Sequence, residues 1–350
     1  MNFVKGRNDM MARPQPPASP NPDQSSNRRQ PFAPPDVLVF VDETNVSDAS
    51  IRHALNVAQS LGGTVELLQV LCGPSNGDGP IDPVDWDIKR QKAIKRLEAL
   101  SEKARAFEKT CPITLLEGKC SSQIKSLMEL RTGDIAATMR SRNDGNWYQS
   151  ETTWAVLKSQ SAAVLVIPDD AQVEPNTPYR RILVPLDGSA RAEAVLPMAI
   201  KIAQAQNAEL MLCYVPPDPR LTEMGINGHE TAHLHEKFRD LNAKAGTTYL
   251  ERTKRRLDHN GLKIMIKVTD SGDARRALIA LMSRENADLV VMATHGQSGH
   301  KDVPAGDVSR FVLEKAHIPV LLVRSQNGHN SNHTFGKLAS KGVRKPTGTD

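Results

Sequence analysis

The chain has 350 residues, 39% of them apolar, and a net charge of +5 from 45 Lys and Arg against 40 Asp and Glu, which is long for one domain and comfortable for two. No apolar run approaches the ~20 residues of a membrane span, and no apolar segment follows Lys5 and Arg7 as a leader would require. Cys72, Cys111, Cys120 and Cys213 form no CxxC pair, so a disulfide framework or zinc cluster is not expected, and the composition fits a cytoplasmic protein without a membrane partner.

Residues 1–35 are rich in Pro, Asn, Ser, Gln and Arg, lack apolar periodicity and read as a disordered tail. Val37 to Val41 is an apolar run of strand length that ends at Asp42. Ser47 or Asp48 can cap a helix with Ile51, Ala54, Leu55, Ala58 and Leu61 at helical spacing, stopped by Gly62 and Gly63. Val65 to Leu71 is a second strand, followed by a turn-rich loop and a charged helix from Val84 to Lys109. A strand at Ile113–Leu116, a helix at Ser121–Leu130, a strand at Asp134–Thr138, a helix at Thr152–Ser159 and a strand at Ala163–Ile167 complete the first series.

The series restarts after a linker from Pro168 to Pro178. Arg181 to Leu186 is a strand ending at Asp187, and the next helix carries Ala194, Leu196, Ala199, Ile200 and Ala203. A strand at Leu210–Val215, a long helix from Glu230 to His259, a strand at Ile264–Val268 and a helix at Ala274–Ser283 follow. Leu289 to Met292 is a strand, Val308, Phe311 and Val312 share a helix face, and Val320 to Val323 is the last strand. Residues 325–350 are polar and basic. Such a tail can touch nucleic acid or membrane, but a solvated tail is the simpler reading.

VLVFVDETNVSDAS and ILVPLDGSARAEAV place strand, Asp and helix at matching positions, so a whole domain is repeated. Alternating strands and helices imply right-handed crossovers and parallel sheets covered on both faces. The expected fold class is α/β, with two tandem flavodoxin-like or Rossmann-like units, each a five-stranded, mostly parallel sheet. The expected divisions are a tail at 1–35, a unit at 36–168, a linker at 169–179, a unit at 180–324 and a basic tail at 325–350.

The stretch from Asp288 to Arg324 layers strand, small-residue loop, helix and strand, a layout that presents backbone N–H groups to an anion. It is neither a Walker loop nor a GxGxxG turn. Ala293, two residues, Gly296, nine residues, Gly306 and Asp307 resemble the ATP-binding signature of the universal stress proteins, in which Gly stands at the first position and Ser or Thr at the last. The resemblance covers two tandem copies over about residues 36–324. It implies an adenine nucleotide alpha hydrolase-like fold with ATP or another adenine nucleotide as ligand. Carried onto this chain, Pro185, Leu186 and Asp187 would meet adenine and ribose, and Val215 the adenine edge. The phosphates would rest on Ala293, Thr294, His295, Gly296, Gln297, Ser298 and Gly299, and on Gly306, Asp307, Val308 and Ser309. Asp307 brings a carboxylate toward phosphate, a like-charge contact that Mg²⁺ or a nucleotide with fewer phosphates would offset.

In the first copy Arg140 replaces Gly296, Ser150 and Glu151 replace Gly306 and Asp307, and Pro-x-Asp is lost at Phe40, Val41 and Asp42. One retained site, in the second copy, is therefore expected, with Arg140 and Arg142 as an alternative anion site in the first. His229, Glu230 and His233 match HExxH, a zinc hydrolase pattern, but on the wrong scaffold and without a third ligand. No general base stands by the phosphate loop, so binding with at most slow ATP hydrolysis is expected. The alternatives are a non-nucleotide interaction or scaffold protein and, remotely, the zinc hydrolase. Single-domain members of the family commonly pair their final strands. Here Ala163–Ile167 and Pro319–Val323 are expected to pair within one chain as a pseudo-dimer whose outer faces can support a homo-oligomer.

Overall fold

A computed structural model describes residues 34–42, 48–72, 82–105, 111–140, 150–159, 161–169, 171, 178–217, 228–258, 261–270, 272–295 and 305–324. Residues 1–33 of the first expected tail, residues 325–350, the 296–299 part of the phosphate loop, and Arg142 lie outside the described residues. The first half runs β1 (Val37–Phe40), α1 (Asp48–Leu61), β2 (Val65–Leu71), α2 (Pro83–Arg105), β3 (Ile113–Glu117), α3 (Cys120–Leu130), β4 (Ile135–Arg140), α4 (Glu151–Lys158) and β5 (Ala163–Pro168). The second runs β6 (Arg181–Pro185), α5 (Ala190–Glu193), α6 (Leu196–Gln206), β7 (Glu209–Tyr214), α7 (Gly228–Leu257), β8 (Ile264–Val268), α8 (Ala274–Arg284), β9 (Leu289–Ala293), α9 (Asp307–Lys315) and β10 (Val320–Val323).

All the described strands join one ten-stranded sheet in the order β3-β2-β1-β4-β5-β10-β9-β6-β7-β8. Within each half the pairings are parallel. The order within each half is the Rossmann one, not the flavodoxin one, and it reverses beside the first strand, between β1 and β4 and between β6 and β9. Where the halves meet, β5 and β10 run antiparallel, with Leu165 opposite Leu321.

The central strands, such as β1, β5 and β9, are apolar on both sides because both faces are covered. Val37 and Val39 of β1 point into one core with α1, α2, α6 and α7, while Leu38 and Phe40 point into the other with α3, α4, α8 and α9. Each core is continuous across the seam between the halves.

Four further contacts bind that seam. On one face Gln206 of α6 donates to Ser60 Oγ of α1 at 2.8 Å. Beside it, His53 Nδ1 of α1 lies 3.0 Å from the hydroxyl of Tyr179, which heads the second half, and both rings are buried and stacked. On the other face two arginines clamp helix ends reciprocally. Arg140 donates to the carbonyls of Leu313, Glu314 and Ala316 at the end of α9. Arg324 donates to those of Leu157 and Ser159 at the end of α4. A cation at a helix C-terminus satisfies orphan carbonyls and the negative end of the dipole.

At the opposite end of the strands, one aspartate per half ties the central strands together. Asp134 accepts from the Asp36 N–H at 2.9 Å, and Asp288 accepts from the Arg180 and Arg181 N–H groups at 2.7 Å. Two expectations need correction. The single helix expected around Ala194 is broken into α5 and α6, because Pro197 at the first turn of α6 starts a new helix and cannot continue the old one. β4 does not end at Thr138 but runs on through Arg140, which pairs with Pro168 of β5.

Candidate functional site

In an open α/β sheet the crevice lies beyond the carboxyl ends of the strands where strand order reverses. In the second half that point falls between β6 and β9. Pro185 ends β6 half-buried, Leu186 turns into the core with its N–H on the Cys213 carbonyl at 2.8 Å, and Asp187 is exposed at the crevice. Asp187 Oδ1 accepts from the Ser189 N–H at 3.0 Å, and Ser189 in turn caps α5 through the Ala192 N–H. Between them Gly188 takes φ +82°, which favours glycine, and a Cβ built there meets no atom of the described residues within 4 Å. Val215 follows β7 half-buried on the same side of the sheet.

Ala293 ends β9, and Thr294 and His295 follow it. Ala293 is not among the described residues of positive φ, so its methyl group is unstrained where the family signature has Gly. Thr294 is buried, with its N–H on the Val323 carbonyl and its own carbonyl accepting from the Gly306 N–H at 2.8 Å. His295 Nδ1 lies 3.2 Å from Thr294 Oγ1. Ser309 is buried and donates to the Ala293 carbonyl at 3.0 Å, so its hydroxyl proton serves the fold. These bonds lash the start of α9 to the end of β9. Val308 packs half-buried on the core lined by α3, α4, α8 and α9.

Gly306 caps α9 in extended conformation, φ −68° and ψ 168°, with no side-chain hydrogen bond. Among the described residues a Cβ there would make only ordinary contacts, 3.5 Å from the Thr294 carbonyl oxygen and 3.8 Å from His295. The described contacts therefore do not demand glycine at 306, and Gly306 brings no side chain to the helix start. Asp307 is exposed at the first position of α9 and pairs with Arg275 of α8 at 3.1 Å. Arg275 was not singled out in the sequence, because nothing local links it to a residue 32 positions away. Its own partner Asp273 caps α8, and the Arg275 guanidinium holds that carboxyl below its ordinary range.

The same place in the first half is closed. Ser150, the cap of α4, donates to Asp42 Oδ2 at 2.6 Å and accepts from the Thr153 N–H. The strand-end carboxylate and the helix start, the two lips of the crevice, are thus bonded directly to one another. Arg140 does not face that crevice. Its buried guanidinium is committed to the carbonyls at the end of α9, which corrects the expectation of an anion site at Arg140. The difference arises because β4 carries it past the loop and into the seam.

His229, Glu230 and His233 fall in α7, a 30-residue helix, where His233 is exposed. The side chains of the other two lie outside the described residues. Among the described residues no group of three or more His, Cys, Asp or Glu is placed to hold a metal ion. No helix among them is long and apolar enough to cross a membrane.

Comparison with known proteins agrees with this geometry. The profile of the universal stress protein family matches residues 178–324. The chain is 24% identical over 307 residues to a universal stress protein of Mycolicibacterium smegmatis, covering 82% of this chain and 96% of that one. It is 28% identical over 146 residues to one of Methanocaldococcus jannaschii, covering 42% of this chain and 82% of that one. A solved universal stress protein from Archaeoglobus fulgidus shares the fold at a TM-score of 0.58 and 16% identity, covering 83% of this chain and 96% of that one. The second half of the chain is thus matched by the universal stress protein family, and the whole length is similar to a universal stress protein relative and, in fold alone, to a solved one.

Proposed function

We propose that this chain is an adenine-nucleotide-binding stress-response module with one site, in the unit at 180–324, and that it works by binding rather than by turnover. The observation that carries the reading is the asymmetry of the two crevices. Asp42 is bonded to Ser150 in the first half, whereas Gly306 brings no side chain to the corresponding lip of the second. In the second half Asp187 would hold the ribose and Val215 the adenine edge. The start of α9 and the loop from Ala293 to Gly299 would receive the phosphates of ATP or a related nucleotide, and Mg²⁺ would add countercharge there. The residues fit such a ligand: Gly188 and Gly306 leave space that side chains would fill, and Ala293 is unstrained.

The unit at 36–168 then acts as a structural and interaction partner. Antiparallel pairing of β5 with β10, the arginine clamps and the His53–Tyr179 contact support a pseudo-dimer built within one chain. Its outer faces remain available for a homo-oligomer. Mass spectrometry of small molecules released from the purified protein tests the reading. An adenine nucleotide at no more than one equivalent is expected. A protein that carries none and gives no heat when titrated with ATP would instead act as an interaction module without nucleotide.

A further inference from the structure

The ion pair between Asp307 and Arg275 carries an inference that rests on the nucleotide reading above. A carboxylate at the first position of α9 already answers the positive end of that helix, and alone it would repel a phosphate arriving at the same end. Arg275 reaches across from α8. Its Nη1 donates to Asp307 Oδ2 at 3.1 Å. Its Nε lies 2.9 Å from Asp273 Oδ1 and 3.2 Å from Oδ2, and its Nη2 donates to Oδ2 at 3.0 Å. The guanidinium carbon sits 5.7 Å from the ring centroid of Phe311, one turn along α9. The planar group is thus braced by its own helix cap and by an aromatic ring, with the Nη1 edge turned to the start of α9. Gly306, next to Asp307, is bonded to Thr294 at the end of β9, so this edge stands at the mouth of the crevice. A permanently charged guanidinium is the side chain best matched to phosphate oxygens.

We propose that Arg275 is a specificity-determining residue of this site: it neutralises Asp307 in the free protein and turns the same Nη1 edge to a phosphate oxygen of a bound adenine nucleotide. Affinity for phosphate-bearing ligands then depends on Arg275 for as long as residue 307 is a carboxylate. Affinity for adenosine, which reaches only the strand-end half of the crevice, does not depend on it.

The test is a double-mutant cycle by isothermal titration on the full chain without divalent metal, with ATP and adenosine as probes. Arg275→Gln should weaken ATP about tenfold, between the water and near-surface limits of a charge–charge contact at this range, and leave adenosine unchanged. In an Asp307→Ser background the same change should cost no more than about threefold, the remainder being the phosphate contact itself. Arg275→Lys keeps the charge without the fork and should fall between, and it serves as the variant of record if Arg275→Gln does not fold. The inference is overturned if Arg275→Gln leaves ATP binding unchanged, weakens it equally in both backgrounds, or weakens adenosine as much as ATP. A wild-type chain that binds neither probe overturns the nucleotide reading and this inference with it. A wild type that binds ATP with no coupling between the two positions overturns the inference alone.

Discussion

Acid should loosen this fold through His53 well before its carboxylates protonate. The imidazole lies on α1 at 4% exposure, stacked on the buried ring of Tyr179 across the seam between the halves. Burial pushes its pKa down from 6.5 to about 3, so the folded protein holds it neutral. The folded value lies below the unfolded one, so between these limits the unfolded chain takes up a proton that the folded chain refuses. The contribution is fully present above the unfolded pKa and drains away as pH falls toward the folded one. Each pH unit in that window costs about 1.4 kcal/mol, which makes roughly 2 kcal/mol by about pH 5. That is a sizeable part of the roughly 5–15 kcal/mol that holds a typical domain folded. Urea unfolding followed by circular dichroism at about pH 7.5 and about pH 5, for the wild type and for His53→Phe, measures it. Phenylalanine keeps the buried ring but takes the His53 partner from the Tyr179 hydroxyl, so the variant should start about 1–3 kcal/mol less stable. The wild type should then lose about 2 kcal/mol more than the variant on acidification, and the gap should close. Stabilities that fall in parallel would refute the assignment.

Arg140→Ala removes the cross-seam donor from three carbonyls at the end of α9 and should cost about 3 kcal/mol in a denaturant melt. A loss below about 0.5 kcal/mol would show that water replaces the clamp. Leu321→Pro places a residue without an N–H in the strand that pairs with both β5 and β9, and should split one cooperative melt into two transitions. An unchanged single transition would mean that the seam does not depend on β10. Among the thiols, Cys72 alone is exposed, and burial lifts Cys111 to about 11 and Cys120 to about 12. A disulfide reagent should therefore titrate Cys72 first and the other three only on unfolding, and a fast phase that survives Cys72→Ser would contradict the burial pattern.

Much of the fold was legible because its strands are buried on both faces. Val320–Val323 is a continuous apolar run, Val65–Leu71 and Ile264–Val268 are apolar but for Glu66, Gln69 and Lys267, and all three form strands with the expected bounds. The repeat was legible because Asp42 and Asp187 mark the same strand end in each copy. The break between Glu193 and Leu196 was hidden because Ala194 and Val195 suit a helix, and only Pro197, read as the first turn of a new helix, signals it. Charged residues that act at long range were the least legible. Arg140 in an apolar strand looks like an intruding loop residue until the antiparallel seam brings the end of α9 to it. Asp134 and Asp288 look like ordinary residues before a strand, yet each holds the start of the central strand of its half. Arg275 and Asp307 sit at the starts of two helices that sequence spacing cannot align.

Isothermal titration of the full chain with ATP, beside the Gly306→Val variant, bears most directly on the asymmetric site. Gly306 is extended at φ −68° with room for a Cβ, so the substitution should leave the melt nearly unchanged while filling the space left for phosphate. One nucleotide per chain, with affinity lost in Gly306→Val and unaffected by Ser150→Ala, is the predicted result. Two equivalent sites per chain, or ATP binding that Gly306→Val leaves intact, would contradict it.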